Sequence, residues 1–156
     1  MTQRRSAASA RPALRVRSAV PADLPQVIDI DARVTGLAKP DYWTGILRRY
    51  GRRGARRRFL VAQAGKQILG YIVGEVRDWE FGSPPCGWVF GISVRPDARE
   101  ARVGTALLEA MTADFRRLGV ATVRTLIARD NRLVLSFFRS QGMMAAPVIP
   151  LEKDAG

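Results

Sequence analysis

The sequence contains no histidine. That absence removes imidazole acid–base catalysis, the Ser-His-Asp and Cys-His nucleophile systems, and the common zinc sites. Cysteine is almost as scarce. Cys86 stands alone, so no disulfide can close within the chain, and a reducing, cytoplasmic compartment is the expectation. No apolar run approaches the roughly 18–20 residues that a bilayer span needs, so no membrane association is expected. The basic stretch Met1–Pro12 lacks the apolar segment of a secretory signal. Acidic residues number 14 against 26 Lys and Arg, and they form no cluster, so no metal site is expected.

What remains is a chain of 156 residues, 47% hydrophobic, with a formal net charge of +12. The length suits one domain, and the apolar content is enough to give it a core. We expect a disordered basic tail over 1–13 and a single domain over 14–156. Leu14–Arg17 alternates apolar and basic residues, as a half-buried strand does. Pro21 and Pro40 can each open a helix, and Gly36 ends the first. Arg58–Ala64 and Gln67–Val76 read as a hairpin around Ala64-Gly65-Lys66. Trp88–Val94 is a further strand. Val103, Leu107, Met111 and Phe115 recur at helical spacing, and Gly119 closes that helix. Ala121–Ala128 reads as a strand, Arg132–Gln141 as a helix, and Met143–Leu151 as a last, proline-containing strand. The order β-α-α-β-β-β-α-β-α-β implies an α/β fold of mixed α+β character. Its central sheet should have about six to seven strands with helices on both faces.

The stretch that carries chemistry runs from Ile92 to Leu108. A strand ends at Val94, a turn with Pro96 follows, and the strongest helix of the sequence begins near Val103. Unpaired N–H groups and the helix dipole at such a point attract an anion. Gly104 leaves room for close approach, and Arg99 and Arg102 add positive charge. The alternative is a plain strand–loop–helix connection that binds nothing.

These residues resemble motif A of the GNAT N-acetyltransferase superfamily, V-x-P-x-x-[Q/R]-x-x-G-x-[G/A]. Val94, Pro96, Arg99 and Gly104 match in register. Downstream, Asn131 to Met143 resembles the superfamily's motif B, N-x-x-A-x-x-[F/L]-Y-x-x-x-G-F. The resemblance spans about residues 14–151. It implies transfer of an acetyl group from acetyl-CoA to a primary amine by direct attack, with a small molecule or a peptide as acceptor. It also implies that Arg99, Glu100, Ala101, Arg102, Val103, Gly104 and Thr105 hold the pyrophosphate. Ile92, Ser93 and Val94 should take the pantetheine where the fourth strand splays from the fifth, and Asn131 and Phe138 should flank the thiol end.

This chain departs from the pattern at three places. Arg102 stands where the first glycine of the motif belongs; arginine suits a helical or bridge conformation there but not a positive φ. Phe138 takes the place of the tyrosine that protonates the leaving thiolate. The strand Gly87–Ser93 carries no carboxylate to accept the amine proton. Glu75 on the preceding strand is then the nearest candidate base, against the alternative of an ordinary residue paired to an arginine. Cys86 has nothing in sequence to lower its pKa and reads as packing. Trp79 and Phe81 lie in a loop where exposure would suggest a homodimer contact or a substrate lid. Tyr42, Trp43, Arg33 and Lys39 border the acceptor side by the resemblance, or pack on the sheet.

The arginines at 48, 49, 52, 53, 56, 57 and 58 form a dense run. It reads either as a solvated face or as a surface for RNA, an acidic protein or the 3′-phosphate of CoA. No nucleic-acid motif accompanies it, so nucleic acid is disfavoured as a partner. Two other function classes remain beside the enzyme: an acyl-CoA-binding module with little activity, and a basic nucleic-acid-binding protein.

Overall fold

A computed structural model describes residues 11–52 and 56–156. Most of the expected tail, and Arg53 and Gly54 of the basic stretch, lie outside the described residues. The strands are Leu14–Ser18 (β1), Arg57–Ala64 (β2), Gln67–Arg77 (β3), Cys86–Val94 (β4) and Val123–Thr125 (β5). The helices are Leu24–Thr35 (α1), Pro40–Tyr50 (α2), Val103–Arg117 (α3) and Arg132–Ser140 (α4). The strands pair in sequence order, antiparallel from β1 to β4 and parallel between β4 and β5.

Alternation along β2 and β3 sends successive side chains to opposite faces. Phe59, Val61, Tyr71 and Val73 pack with Val27 and Ile30 of α1 and Trp43 and Ile46 of α2. Leu60, Ala62 and Ile72 pack on the other face with Leu107, Met111 and Phe115 of α3. Helix α3 sits very close to the sheet. A Cβ built on Gly87 of β4 would lie 2.3 Å from Phe115 Cδ2, so glycine is required there by contact. On the far edge, the guanidinium of Arg17 on β1 grips Asp23 with two bonds of 2.7 and 2.8 Å. The Val20 N–H also donates to that carboxylate. Burial pushes the Asp23 carboxyl up, but the Arg17 and Val20 hydrogen bonds and the Arg17 charge outweigh burial and hold it below its ordinary pKa.

The mixed sheet with helices on both faces is present, but it has five strands among the described residues rather than six to seven. Met143–Leu151 forms no strand. Pro147 and Pro150 have no N–H to give a ladder, and Met144, Ile149 and Leu151 are exposed, with no packed face to fix a register. The expected strand Ala121–Ala128 contracts to Val123–Thr125, which pairs only with Gly87–Val89. β4 runs on to Val94, so its second half has a neighbour on the β3 side alone.

Candidate active site

The open half of β4 leads into the turn Pro96–Ala101 and then into α3. The first intrahelical bond of α3 runs from the Ala106 N–H to the Arg102 carbonyl at 3.1 Å. The amides of Val103, Gly104 and Thr105 therefore precede the ladder, as the first N–H groups of a helix do. Arg102 is the N-cap and adopts φ 57°, ψ 26°. This left-handed conformation, with its positive φ, is one that suits glycine and not arginine. The backbone keeps the shape that favours glycine while carrying a cationic side chain, at a cost of about 1–3 kcal/mol.

A cavity of about 330 Å³ joins these parts. Ile92, Ser93 and Val94 form one wall, and Arg99, Arg102, Gly104 and Thr105 form the cationic end. Four further residues complete it: Val34 from the last turn of α1, and Leu133, Val134 and Phe137 from α4. The α4 residues share an i, i+1, i+4 face, which the sequence shows only once the helix is known to flank β4. A Cβ on Gly104 would lie 3.0 Å from the Phe137 ring, so α3 and α4 meet at this point. Gln141 Nε2 donates to Thr105 Oγ1 at 3.1 Å and ties the end of α4 to the start of α3.

Glu100 and Ala101 belong to the turn ahead of α3. Val103 is buried beneath the cradle. Asn131 caps α4, its Oδ1 accepting from the Val134 N–H at 3.2 Å. Phe138 is 2% exposed and belongs to the core under α3, while its neighbour Phe137 faces the cavity. Glu75 accepts from the Tyr50 hydroxyl at 3.0 Å, pairs with Arg77 at 3.1 Å and lies 3.8 Å from Arg57. It is outside the cavity lining. Cys86 is buried. Trp79 and Phe81 are exposed, each with a positive φ.

A polar cluster that the sequence does not announce stands behind Ser93. Asp31 of α1, 5% exposed, accepts from Trp43 Nε1 at 2.9 Å and from Lys39 Nζ at 3.0 Å. Tyr71 pairs in register with Ser93. Burial raises the pKa of its hydroxyl; the charge of Asp31 adds to that rise, and a hydrogen bond with Ser93 opposes it. Tyr71 therefore stays neutral and holds α1, α2 and β4 in one arrangement. In the basic stretch, Arg56 pairs with Asp78, and Arg58 pairs with Asp114 at 2.6 Å. With Arg57 near Glu75, part of that run is internal ion pairing rather than free charge.

With this geometry in view, the profile of the acetyltransferase (GNAT) family matches residues 24–143. The chain belongs to the GNAT acetyltransferase family. It is an acetyltransferase, and the matched span contains both the cradle and α4. No curated protein shows significant sequence similarity to it. Among solved structures, aminoglycoside N-acetyltransferase AAC(6')-Iy in complex with CoA is similar at a TM-score of 0.80 and 15% identity, covering 93% of this chain and 97% of that one. Aminoglycoside 6'-N-acetyltransferase AAC(6')-Ih from Acinetobacter baumannii gives a TM-score of 0.76 at 17% identity, covering 92% and 100%. A transcriptional regulator from Bacillus halodurans C-125 gives 0.75 at 17% identity, covering 91% and 99%. At these identities the likeness is one of fold. Among the described residues no helix is long and apolar enough to cross a membrane, and no group of side chains is arranged to hold a metal.

Proposed function

We propose that the protein moves the acetyl group of acetyl-CoA to a primary amine by direct attack. The observation that carries this reading is the single cavity formed by the unpaired half of β4 and the start of α3. The residues fit the co-substrate. Amides 103–105 with Arg99 and Arg102 match a pyrophosphate, and the free strand edge at Ile92–Val94 matches a chain of amides such as pantetheine. AAC(6')-Iy was crystallised with CoA, which supports the same choice.

In the reaction the amine nitrogen forms a bond to the thioester carbonyl carbon, the carbon–sulfur bond breaks, and the electron pair leaves on sulfur. The chain's part is to bind, orient and polarise. Proximity offers effective molarities of about 10⁵ M or more, and strand N–H groups aimed at the carbonyl oxygen stabilise its developing charge. No described side chain in the cavity lining is a carboxylate or a phenol. Protons therefore leave the amine and reach the sulfur through water. That forgoes the ~10²–10⁴-fold that a placed acid or base supplies, and it implies a slow enzyme.

Away from the arginines, the described lining at Val34 and Ser93 is uncharged, and the cavity's charges are Arg99 and Arg102. Two of the structural relatives are aminoglycoside acetyltransferases. This lining instead favours an amine with few positive charges. Calorimetry with acetyl-CoA and a thiol-release assay over monoamines, amino acids, polyamines and aminoglycosides test both parts. Binding without release across the panel would support the second reading, a CoA-binding module, which the lack of an acid or a base among the described side chains of the lining favours. Absence of binding would remove the proposal.

A further inference from the structure

One residue of β4 stands apart from the rest. Val73 of β3 pairs with Gly91 and Gly74 pairs with Val89, so Phe90 is opposite no residue of β3, while every other residue of β4 has a partner there. The last pair of β4 with β5, Val89 with Thr125, comes one residue earlier. Phe90 is therefore a bulge, set where the strand passes from its doubly bonded half to its open half. A bulge re-aims the side chain of its extra residue, and bulges are over-represented beside active sites.

The ring is exposed but held. It meets the ring of Tyr50 from α2 edge to face, with centroids 5.2 Å apart and planes at 66°, and so lies on the face of the sheet that α1 and α2 cover. Tyr50 is fixed in turn. Its hydroxyl donates to Glu75 at 3.0 Å, and the guanidinium groups of Arg49 and Arg57 lie 5.9 and 5.5 Å from its ring centre. Phe90 is nevertheless 39% exposed. A single exposed ring is ordinary on a protein surface. This one stands two residues along the strand from Ile92, about 7 Å away, and Ile92 lines the cradle cavity. From the same side, α1 lies against β4 and brings Val34, also exposed, to that cavity.

The charges nearby select what the ring can take. The carboxylate behind Tyr50 is Glu75, and it is already shared between Arg77 at 3.1 Å and Arg57 at 3.8 Å. A polycation finds no free counter-charge in this cluster and is repelled by its arginines. What an exposed ring on a fixed frame offers is apolar contact and stacking. We propose that Phe90 is a specificity-determining residue of the acceptor site. Its ring receives the apolar body of a primary amine while the amino group reaches the thioester along the open edge of β4. This rests on the acetyl-transfer reading and narrows its acceptor to amines with an apolar body, carried by a free amine or by a peptide whose first residue is apolar.

The test measures thiol release by the full chain at saturating acetyl-CoA. The acceptors are phenethylamine, hexylamine and ethanolamine, with leucinamide against serinamide as the peptide arm. In kcat/KM the wild type should favour phenethylamine and hexylamine over ethanolamine by about tenfold or more, the scale of one good apolar contact. Phe90→Ala should remove most of that ratio, chiefly through the KM of the apolar amines. Phe90→Leu should restore it for hexylamine and not for phenethylamine. A merely structural role would lower all amines alike and leave the ratio where it was. A larger preference in the peptide arm would assign the site to a peptide N-terminus, and a larger preference among the free amines to a free amine. If Phe90→Ala does not fold, the wild-type ratio and Phe90→Leu carry the decision. A wild type that transfers acetyl groups without an apolar preference overturns this proposal alone, and one that transfers to no amine overturns it together with the acetyl-transfer reading. A ratio that neither variant moves also overturns it, and a change of oligomeric mass in the same variants would then make the ring a contact between copies.

Discussion

The two halves of β4 belong to one strand and do different work. From Gly87 to Val89 the strand is bonded on both sides and pressed against Phe115. From Ile92 to Val94 it is bonded to β3 alone, and its other edge faces the cavity. Along the first half, β5 occupies the edge where a ligand would have to lie. The second has lost a neighbour and gained a site. A binding surface can thus arise from an interrupted pairing, with no special side chain in the strand.

The comparison can be broken experimentally, and the largest expected effect falls on the open half. Gly104→Glu puts bulk against Phe137 and a negative charge beside the amides of α3. Acetyl-CoA affinity measured by calorimetry should fall at least ~100-fold, about 2.7 kcal/mol. Unchanged affinity would mean that the cradle is not where the co-substrate binds. Gly87→Ala strikes the closed half instead. Overpacking against Phe115 should cost about 1–3 kcal/mol in urea unfolding, while the folded protein keeps its affinity within about threefold, roughly 0.65 kcal/mol. A matching loss of affinity would show that the halves are not separable.

Phe138→Tyr sharpens the contrast on α4. Phe138 is buried in the core, so the added hydroxyl enters without a partner and should cost about 1–3 kcal/mol. It should bring no gain in thiol release. A faster enzyme would show that position 138 reaches the sulfur after all. Smaller again is the effect of replacing Arg48, Arg49 and Arg52, all exposed, with Gln. Affinity should stay within about threefold, roughly 0.65 kcal/mol. A larger loss that vanishes with dephospho-CoA would give these residues the 3′-phosphate.

The last test concerns acid. The Asp23 carboxyl is held below its ordinary 3.8 in the folded state. The Arg17–Asp23 pair therefore contributes fully above that pH and is lost as pH falls through the lower folded value. Asp23→Asn should lower stability at pH 7 and remove that part of the acid dependence. An unchanged acid limb in thermal melts would assign it to other carboxylates.

Much of this was legible in the sequence because local signals agreed with the fold. The stripe on α3, the hairpin around Gly65 and the strand ahead of Pro96 each carried their own periodicity or punctuation. The cradle followed from a strand, a turn and a helix in succession. What escaped depended on contacts far apart in the chain. Whether Phe137 or Phe138 faces the cavity is set by how α4 docks, and adjacent apolar residues on a helix do not declare that. Arg102 keeps a glycine-like backbone because the turn and α3 dictate it, against the preference of its own side chain. The last expected strand failed because prolines and exposure outweigh apolar content when no neighbour offers a ladder. Asp31, Lys39 and Trp43 are scattered polar and aromatic letters until α1 and α2 close over Tyr71.

The parting of β4 from β5 also couples the fold to its ligand. A molecule that lies along Ile92–Val94 completes an edge that the chain leaves short, and so behaves as a strand that comes and goes with concentration. By mass action a ligand at 100 times its dissociation constant adds about 2.7 kcal/mol to the stability of the state it binds. That gain should be localised. Amide exchange should slow most over 90–94 and the first turn of α3, and hardly at all over 87–89, where the sheet is already closed. The protein's thermal stability would then report the acetyl-CoA supply around it.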